Sequence, residues 1–189
     1  MLGSSQQVKV TPAGDGFDLT PSGAATGPLA GVIRLTIKPP AAAPAGTGKG
    51  LTAQSWTNDS FTGPPAVTTV DPTVNKSYRF DGSPDPSIPA DHFSTRWTGS
   101  IQPRFDETYT FTTVSDDTVR LWIDGRPVID STTPHGPKAD KGTVPLKAGH
   151  RHSIRIDYTE QTGEAHMKLL WSSPSQPQQI VPQRQLYAD

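Results

Sequence analysis

Side chains alternate between apolar and polar along several short stretches, and this alternation limits what the chain can fold into. In Val119–Ile123 (VRLWI), three aliphatic residues would face one side, with Arg120 and Trp122 on the other. Successive side chains of a β-strand point to opposite faces, so this period of two indicates half-buried strands. No window carries a convincing helical period. The same alternation recurs in Asp91–Thr98, Thr108–Thr113, His152–Tyr158 and Ala165–Trp171.

The turn residues between these stretches predict antiparallel connections. Asp124 and Gly125 separate two alternating runs, and this pair favours a two-residue hairpin whose central residues both have positive φ. Pro127 lies in the returning run and cannot donate to a strand ladder, which places that strand at a sheet edge. Short strands separated by frequent turns predict an all-β sandwich or barrel.

Composition excludes several classes of function. The chain of 189 residues has 17 Lys and Arg against 18 Asp and Glu, so nothing basic marks a nucleic-acid partner. It has no cysteine, which excludes disulfides and thiolate sites. No apolar run reaches the roughly 18 residues of a membrane helix, so membrane insertion is not expected. The first residues lack the pattern of a signal peptide. We expect a monomer.

A composition shift suggests the domain boundaries. Residues 39–50 consist mostly of Pro, Ala and Gly, and we predict a linker over residues 39–48. The segment before it, residues 1–38, is too short to close its own core and is predicted to be an incomplete β remnant. Residues 49–189 then form the main domain.

From Gly50 onward the chain resembles the PA14 domain family. The motifs that carry the resemblance are GLTAQSWTNDSFTG (50–63), DHFSTRWTGSI (91–101), ETYTFTTVSDDTVRLWIDGRPVID (107–130) and the run from Val144 to Pro174. Thr118 departs from the family, which usually has Gly after the aspartate pair. The resemblance implies a PA14-type β-sandwich, a fold found in secreted toxins, glycosidases and yeast adhesins.

The first 38 residues resemble the last strands of the C-terminal β-sandwich of bacterial α-L-fucosidases, on the motif GDGFDLTP. Together the two resemblances predict an accessory domain of an extracellular glycosidase, located outside the cell or at its surface as part of a larger secreted protein. The parent would be a glycoside hydrolase, with an α-L-fucosidase as the candidate.

The adjacent aspartates Asp116 and Asp117 have two interpretations. Asp is favoured in turns, so the pair can be a solvated turn. Ca²⁺ prefers carboxylate and carbonyl oxygens from loops, so the pair can also hold calcium. In sugar-binding PA14 domains a cis Asp–Asp peptide holds the ion, and the resemblance carries this role onto Asp116 and Asp117.

The loop Tyr158–His166 is the predicted second part of that site. In sugar-binding members this loop supplies an Asn, which is missing here. Glu160, Gln161 and Glu164 could supply oxygens instead, as could the carbonyl of Thr162, and we predict that oxygens of Glu160, Gln161 and Thr162 complete the calcium shell. Glu160, Gln161 and Trp122 are also predicted to contact the sugar with the aspartate pair. The loops Ser83–His92 and Thr132–Gly142 are candidates for determining the sugar specificity.

Catalysis is not expected. A glycosidase needs two carboxylates held roughly 5–9.5 Å apart across a cleft, which adjacent residues cannot provide. The five histidines are expected to be ordinary surface or half-buried residues, and Trp97 and Trp171 to be core. We therefore predict a calcium-dependent, glycan-binding, non-catalytic accessory domain. The alternatives are a structural or protein-interaction PA14 module without a sugar ligand, or a domain that shapes the active-site mouth of a parent fucosidase.

Overall fold

The computed structural model describes residues 8–13, 16–21 and 40–189, and the chain divides into two compact units, Met1–Lys38 and Pro39–Asp189. In the first unit, β1 (Val8–Ala13) pairs antiparallel with β2 (Gly16–Pro21). The remaining residues of the predicted fucosidase-like remnant lie outside the described residues.

The second unit is built from antiparallel strands that follow the alternating stretches of the sequence. Within residues 40–189 the strands are β3 (Leu51–Trp56), β4 (Val67–Asp71), β5 (Asn75–Arg79), β6 (Phe93–Ile101), β7 (Glu107–Asp116), β8 (Thr118–Ile123), β9 (Arg126–Ser131), β10 (Lys138–Leu146), β11 (His152–Glu160), β12 (Ala165–Ser173), β13 (Gln176–Ile180) and β14 (Leu186–Tyr187).

These strands form two sheets. One has five strands in the order β10-β7-β12-β13, with β5 also paired to β12. The other has seven strands in the order β4-β3-β6-β11-β8-β9, with β14 also paired to β6. The all-β sandwich predicted from the sequence is confirmed. Within the described residues, no helix has the length and apolar character needed to cross a membrane.

The core lies between the two sheets and is made by the apolar face of each alternating strand. Val119, Leu121 and Ile123 are all fully buried, as the period of two predicts. Trp97 and Trp171 are also fully buried, so their assignment to the core is confirmed. The Trp97 indole N–H donates to Asp71 Oδ2 across 2.7 Å, which satisfies the polar end of a buried ring.

The predicted hairpin is confirmed. Asp124 and Gly125 join β8 to β9 with φ of 49° and 73°, both in the left-handed region that this tight turn requires. β9 ends the strand order of its sheet, so Pro127 lies in an edge strand, as its missing N–H demands.

The Pro- and Gly-rich segment lies along the sandwich. The Gly48 N–H donates to the Arg184 carbonyl across 2.8 Å, and the Gly50 N–H donates to the Leu186 carbonyl across 3.0 Å. A Cβ on Gly48 would lie 1.9 Å from the Leu186 oxygen, so only glycine allows this approach. Residues 40–50, most of which were predicted as linker, therefore have backbone contacts to the domain.

Candidate functional site

The aspartate pair lies where the two sheets are joined. β7 ends at Asp116, β8 begins at Thr118, and Asp117 connects them. The peptide bond between the two aspartates is cis. Asp116 is 6% exposed and Asp117 7% exposed, which argues against the solvated-turn interpretation. Two nearly buried, adjacent carboxylates need compensation from neighbouring groups.

The end of β11, which includes Tyr158 and Glu160, and the loop after it provide part of that compensation. The Gln161 backbone N–H donates to Asp117 Oδ2 across 2.7 Å. The Tyr158 hydroxyl is hydrogen-bonded to the carbonyl oxygen of Asp116 and lies 2.8 Å from Glu160 Oε2. A hydroxyl has one proton, so when Tyr158 donates to the Asp116 carbonyl, its bond to Glu160 needs a proton on the Glu160 carboxyl.

The electrostatics of the site favour that protonated state. Burial raises the pKa of Glu160 to about 8, and the charges of Asp117, Asp116 and Asp91 act in the same direction. Glu160 is fully buried, and its Oε1 has no hydrogen-bond partner among the described residues. Burial and the neighbouring carboxylates thus favour a proton on Glu160.

Two histidines partly balance the Asp116 carboxylate. Burial raises the pKa of Asp116, and the nearby charge of Asp117 raises it further, whereas His166 and His135 act in the opposite direction. His166 lies directly opposite Asp116 in the ladder between β12 and β7. His166 Nε2 is also 3.0 Å from Glu164 Oε2.

Two loops singled out from the sequence reach this region. The Gly163 N–H donates to Asp91 Oδ1 across 3.1 Å, and the His92 N–H donates to the Gln161 carbonyl across 3.1 Å, so the end of the loop 83–92 is tied to the loop after β11. A pocket of about 340 Å³ lies around His135. It is lined by Asp130, Ser131, Thr132, Thr133, Pro134, His135 and Lys138.

The structure brings together four of the predicted site residues, namely Asp116, Asp117, Glu160 and Gln161. Thr162 follows them on the exposed part of the loop. Trp122 is not at this site. It lies five residues beyond Asp117, which at about 3.3 Å per residue is roughly 16 Å along the chain.

Trp122 instead packs on the outer face of the seven-stranded sheet. Its ring lies beneath the guanidinium groups of Arg120 and Arg155, whose Cζ atoms are 4.9 Å and 4.8 Å from the ring centroid. Such cation–π contacts stabilise the sheet surface. The alternation along β8 showed that Trp122 faces away from the core, but not which end of the sandwich it occupies.

Sequence reasoning missed Tyr158, Asp91, His135 and His166 as parts of the site. Tyr158 is fully buried in β11, where its ring also packs against Phe93 with ring centroids 6.0 Å apart. The contribution of His166 depends on the register between β7 and β12, which no local pattern specifies. Asp91 lies in a loop that was singled out, yet its carboxylate was not distinguished from its neighbours.

The donor atoms at the pair suit a hard cation. They are carboxylate and carbonyl oxygens, and the buried Glu160 Oε1 lacks a partner in the described structure. No group of three or more His, Cys, Asp or Glu side chains that could hold a metal ion occurs in residues 8–13, 16–21 and 40–189. A cation here would therefore need oxygens besides carboxylates, and calcium commonly takes carbonyls and water.

Comparison with known proteins identifies the fold family. The PA14 domain model matches residues 48–185, which is well over half of the chain. The chain belongs to the PA14 domain family. Its resemblance to that family, inferred from the aspartate motif and its neighbours, is thus confirmed.

Relatives of this PA14 domain are found in regulatory proteins. It is 41% identical over 142 residues to the anti-sigma-I factor RsgI3 of Acetivibrio thermocellus, covering 75% of this chain and 22% of that protein. It is 38% identical to a solved anti-sigma factor domain-containing protein, with a TM-score of 0.73, covering 76% of this chain and 49% of the other. The chain therefore spans about a fifth of the length of the former and about half of the latter.

A more distant structure shares the fold. The PA14 sugar-binding domain from an RTX adhesin has a TM-score of 0.64 at 15% identity, and the likeness covers 75% of this chain and 99% of that domain. At this identity the comparison concerns the fold alone.

The anti-sigma relatives correct two predictions, the kind of parent protein and its location. The prediction of an accessory domain from an extracellular glycosidase is wrong, because the relative at 41% identity is an anti-sigma-I factor. The predicted location within a larger secreted glycosidase, and the candidate α-L-fucosidase parent, are overturned by the same finding. The error came from the short motif in residues 1–38, which has too few residues to specify a parent protein.

Proposed function

We propose that this PA14 domain is a non-catalytic carbohydrate-recognition domain that binds its glycan with the help of calcium, within a larger regulatory protein of the anti-sigma factor kind. The observation that carries the proposal is the nearly buried pair Asp116 and Asp117, which lies beside Glu160 and in which the Asp117 carboxylate accepts a hydrogen bond from the Gln161 backbone N–H. Buried carboxylates that repel each other are stabilised by a cation.

Asp116 and Asp117 would hold the ion through their carboxylates, and oxygens of Glu160, Gln161 and Thr162 would complete the shell. When bound, calcium would supply coordination positions that neighbouring hydroxyls of a sugar can occupy. The protein's own groups position the pair: the Gln161 N–H orients the Asp117 carboxylate, and the Tyr158 hydroxyl fixes the Asp116 carbonyl.

Sugar binding is supported by the site and by the relatives together. The pocket around His135 provides hydroxyl, imidazole and ammonium groups from Ser131, His135 and Lys138, which can hydrogen-bond sugar hydroxyls. The RTX adhesin domain of the same fold is named as sugar-binding. The regulatory context is supported by the two anti-sigma relatives.

A printed glycan array tests this function. The chain should bind a subset of glycans in millimolar calcium and lose that binding in EDTA. Asp117→Asn should lose binding, whereas Asp106→Asn should keep it. Asp106 is an exposed aspartate just before β7, at the opposite end of that ten-residue strand from Asp116. Binding that persists in EDTA, or no binding to any glycan, would contradict the proposal and favour a structural or protein-interaction role.

A further inference from the structure

Phe80 is an aromatic side chain that the fold leaves in solvent. It is 64% exposed, and within the described residues the other large exposed apolar side chain is Val70, at 52%. Phe80 follows Arg79, which ends β5 with a φ of 60°. A phenylalanine this exposed contributes little to the core, and its ring face is accessible from solvent.

The strand register places Phe80 at the same end of the sandwich as the aspartate pair. Asp116 lies opposite His166 in β12, and Ala165, the preceding residue of β12, lies opposite Arg79 in β5. Adjacent strands are about 4.8 Å apart, so two spacings put the backbone at Arg79 about 10 Å from the pair. Phe80 is the next residue.

The segment that begins at Phe80 also ends at the site. It runs from Phe80 to His92, where the His92 N–H donates to the Gln161 carbonyl and Asp91 accepts from the Gly163 N–H. Both ends of this segment are therefore fixed to the loop after β11 or to the start of β12. Phe80 therefore belongs to a segment whose two ends both lie beside the site.

We propose that Phe80 is the stacking platform for a second sugar residue of a glycan held at Asp116 and Asp117, and that the domain's preferred ligand is therefore an oligosaccharide and not a monosaccharide. This inference rests on the proposed function. The C–H groups on one face of a pyranose carry partial positive charge, and the face of an aromatic ring is negative, so the two attract while both lose apolar surface to water.

The distance decides which sugar residue uses the platform. With the backbone at Arg79 about 10 Å from the pair, two strand spacings away, the proposal places the Phe80 ring beyond a single sugar ring that contacts the ion. It contacts the next sugar residue of the oligosaccharide. A monosaccharide at the aspartate pair leaves Phe80 in solvent, and the affinity difference between a monosaccharide and its oligosaccharide depends on this ring.

Three variants of the full chain test the platform. Phe80→Ala removes the ring, and Phe80→Trp keeps an aromatic face. Val70→Ala is the matched control, since it removes an exposed apolar side chain from β4 in the seven-stranded sheet. The probe is a printed array of mono- and oligosaccharides of glucose, galactose, mannose and xylose, read at several protein concentrations in calcium. Calcium affinity of each variant is measured separately by titration calorimetry without sugar.

Phe80→Ala should weaken oligosaccharide binding about tenfold, while monosaccharide binding and calcium affinity stay unchanged. Phe80→Trp should restore the oligosaccharide signal, and Val70→Ala should match the wild type. Equal oligosaccharide binding by wild type and Phe80→Ala overturns the platform while leaving the proposed function intact. A wild-type chain that binds calcium but no glycan on the array overturns both, and points to a protein surface as the partner of Phe80.

Discussion

The backbone N–H of Gln161 donates a hydrogen bond to Oδ2 of Asp117 across 2.7 Å. This bond joins the loop after β11 to the connection between β7 and β8. The two bonded residues are 44 positions apart in the sequence. The sandwich thus holds the aspartate pair and the loop after β11 next to each other. A substitution in one of them is expected to change the position of the other.

Calcium is expected to stabilise the folded chain through the aspartate pair. An ion that binds only the folded state adds about 2.7 kcal/mol to the free energy of unfolding at a hundredfold excess over Kd. Thermal melts in millimolar calcium should therefore have a higher midpoint than melts in EDTA, and Asp117→Asn should abolish the difference. Asp106→Asn should retain it. The same calcium shift in Asp117→Asn and wild type would place the ion elsewhere.

In EDTA, Asp117→Asn should leave stability unchanged or raise it. The amide keeps an oxygen that can accept from the Gln161 N–H, and it removes a charge that raises the pKa of Asp116. We expect a gain of at most about 1 kcal/mol in chemical denaturation. A loss of several kcal/mol would mean that the charge itself holds the fold together without calcium.

Glu160 should make the calcium-free chain less stable as the pH rises. Its ordinary pKa is 4.5, and burial raises it to about 8 in the folded state. Between these values the folded state holds a proton that the unfolded state has released, so the free energy of unfolding falls with pH by at most about 1.4 kcal/mol per unit. The stabilisation is complete below about pH 4.5 and is lost as the pH passes about 8.

Glu160→Gln should remove this slope, because an amide does not titrate. Glu164→Gln is the matched control from the same loop and should keep it. The measurement is urea denaturation in EDTA at half-unit steps between pH 5 and pH 9. A wild-type slope that survives in Glu160→Gln would assign the titration to another group.

Deleting residues 1–38 should leave cooperative unfolding intact, because residues 39–189 form a compact unit with their own core. Deleting residues 1–50 should lower the free energy of unfolding by about 2 kcal/mol, since the carbonyls of Arg184 and Leu186 then lose the N–H groups of Gly48 and Gly50. Denaturation of the two truncated chains side by side measures this difference. Equal stabilities would mean that residues 40–50 contribute nothing to the domain.

Trp122→Ala should reduce stability without affecting ligand binding. The change removes contacts with Arg120 and Arg155 on the sheet surface and should cost about 2 kcal/mol. Calcium titration and glycan-array signals should match the wild type under conditions where both chains are folded. Selective loss of glycan binding would return Trp122 to the site.

The fold could be predicted because its signals are local. The alternation in Val119–Ile123 specifies a strand with one buried face, and Asp124-Gly125 specifies the turn that follows it. These signals do not depend on distant residues. The same local patterns predicted that Trp97 and Trp171 belong to the core, since each lies on the apolar face of its strand.

The site could be predicted only in part, because it is assembled across strands. Asp116 and Asp117 are adjacent in sequence and therefore visible in it. The approach of His166 to Asp116, and of Asp91 to Gly163, depends on register and on loop paths. The alternation along β8 predicts that Trp122 lies on the outward face of its sheet, which is why Trp122 was a candidate for the site. That pattern does not include the distance of five residues between Asp117 and Trp122.

Titration calorimetry with calcium tests the central claim most directly. Calcium added to the wild-type chain, in buffer from which calcium and EDTA have both been removed, should give a single binding event. Asp106→Asn should reproduce it. Asp117→Asn should weaken the affinity at least tenfold, which corresponds to about 1.4 kcal/mol. Unchanged calcium affinity in Asp117→Asn, or no heat of binding in the wild type, would contradict a calcium site at Asp116 and Asp117.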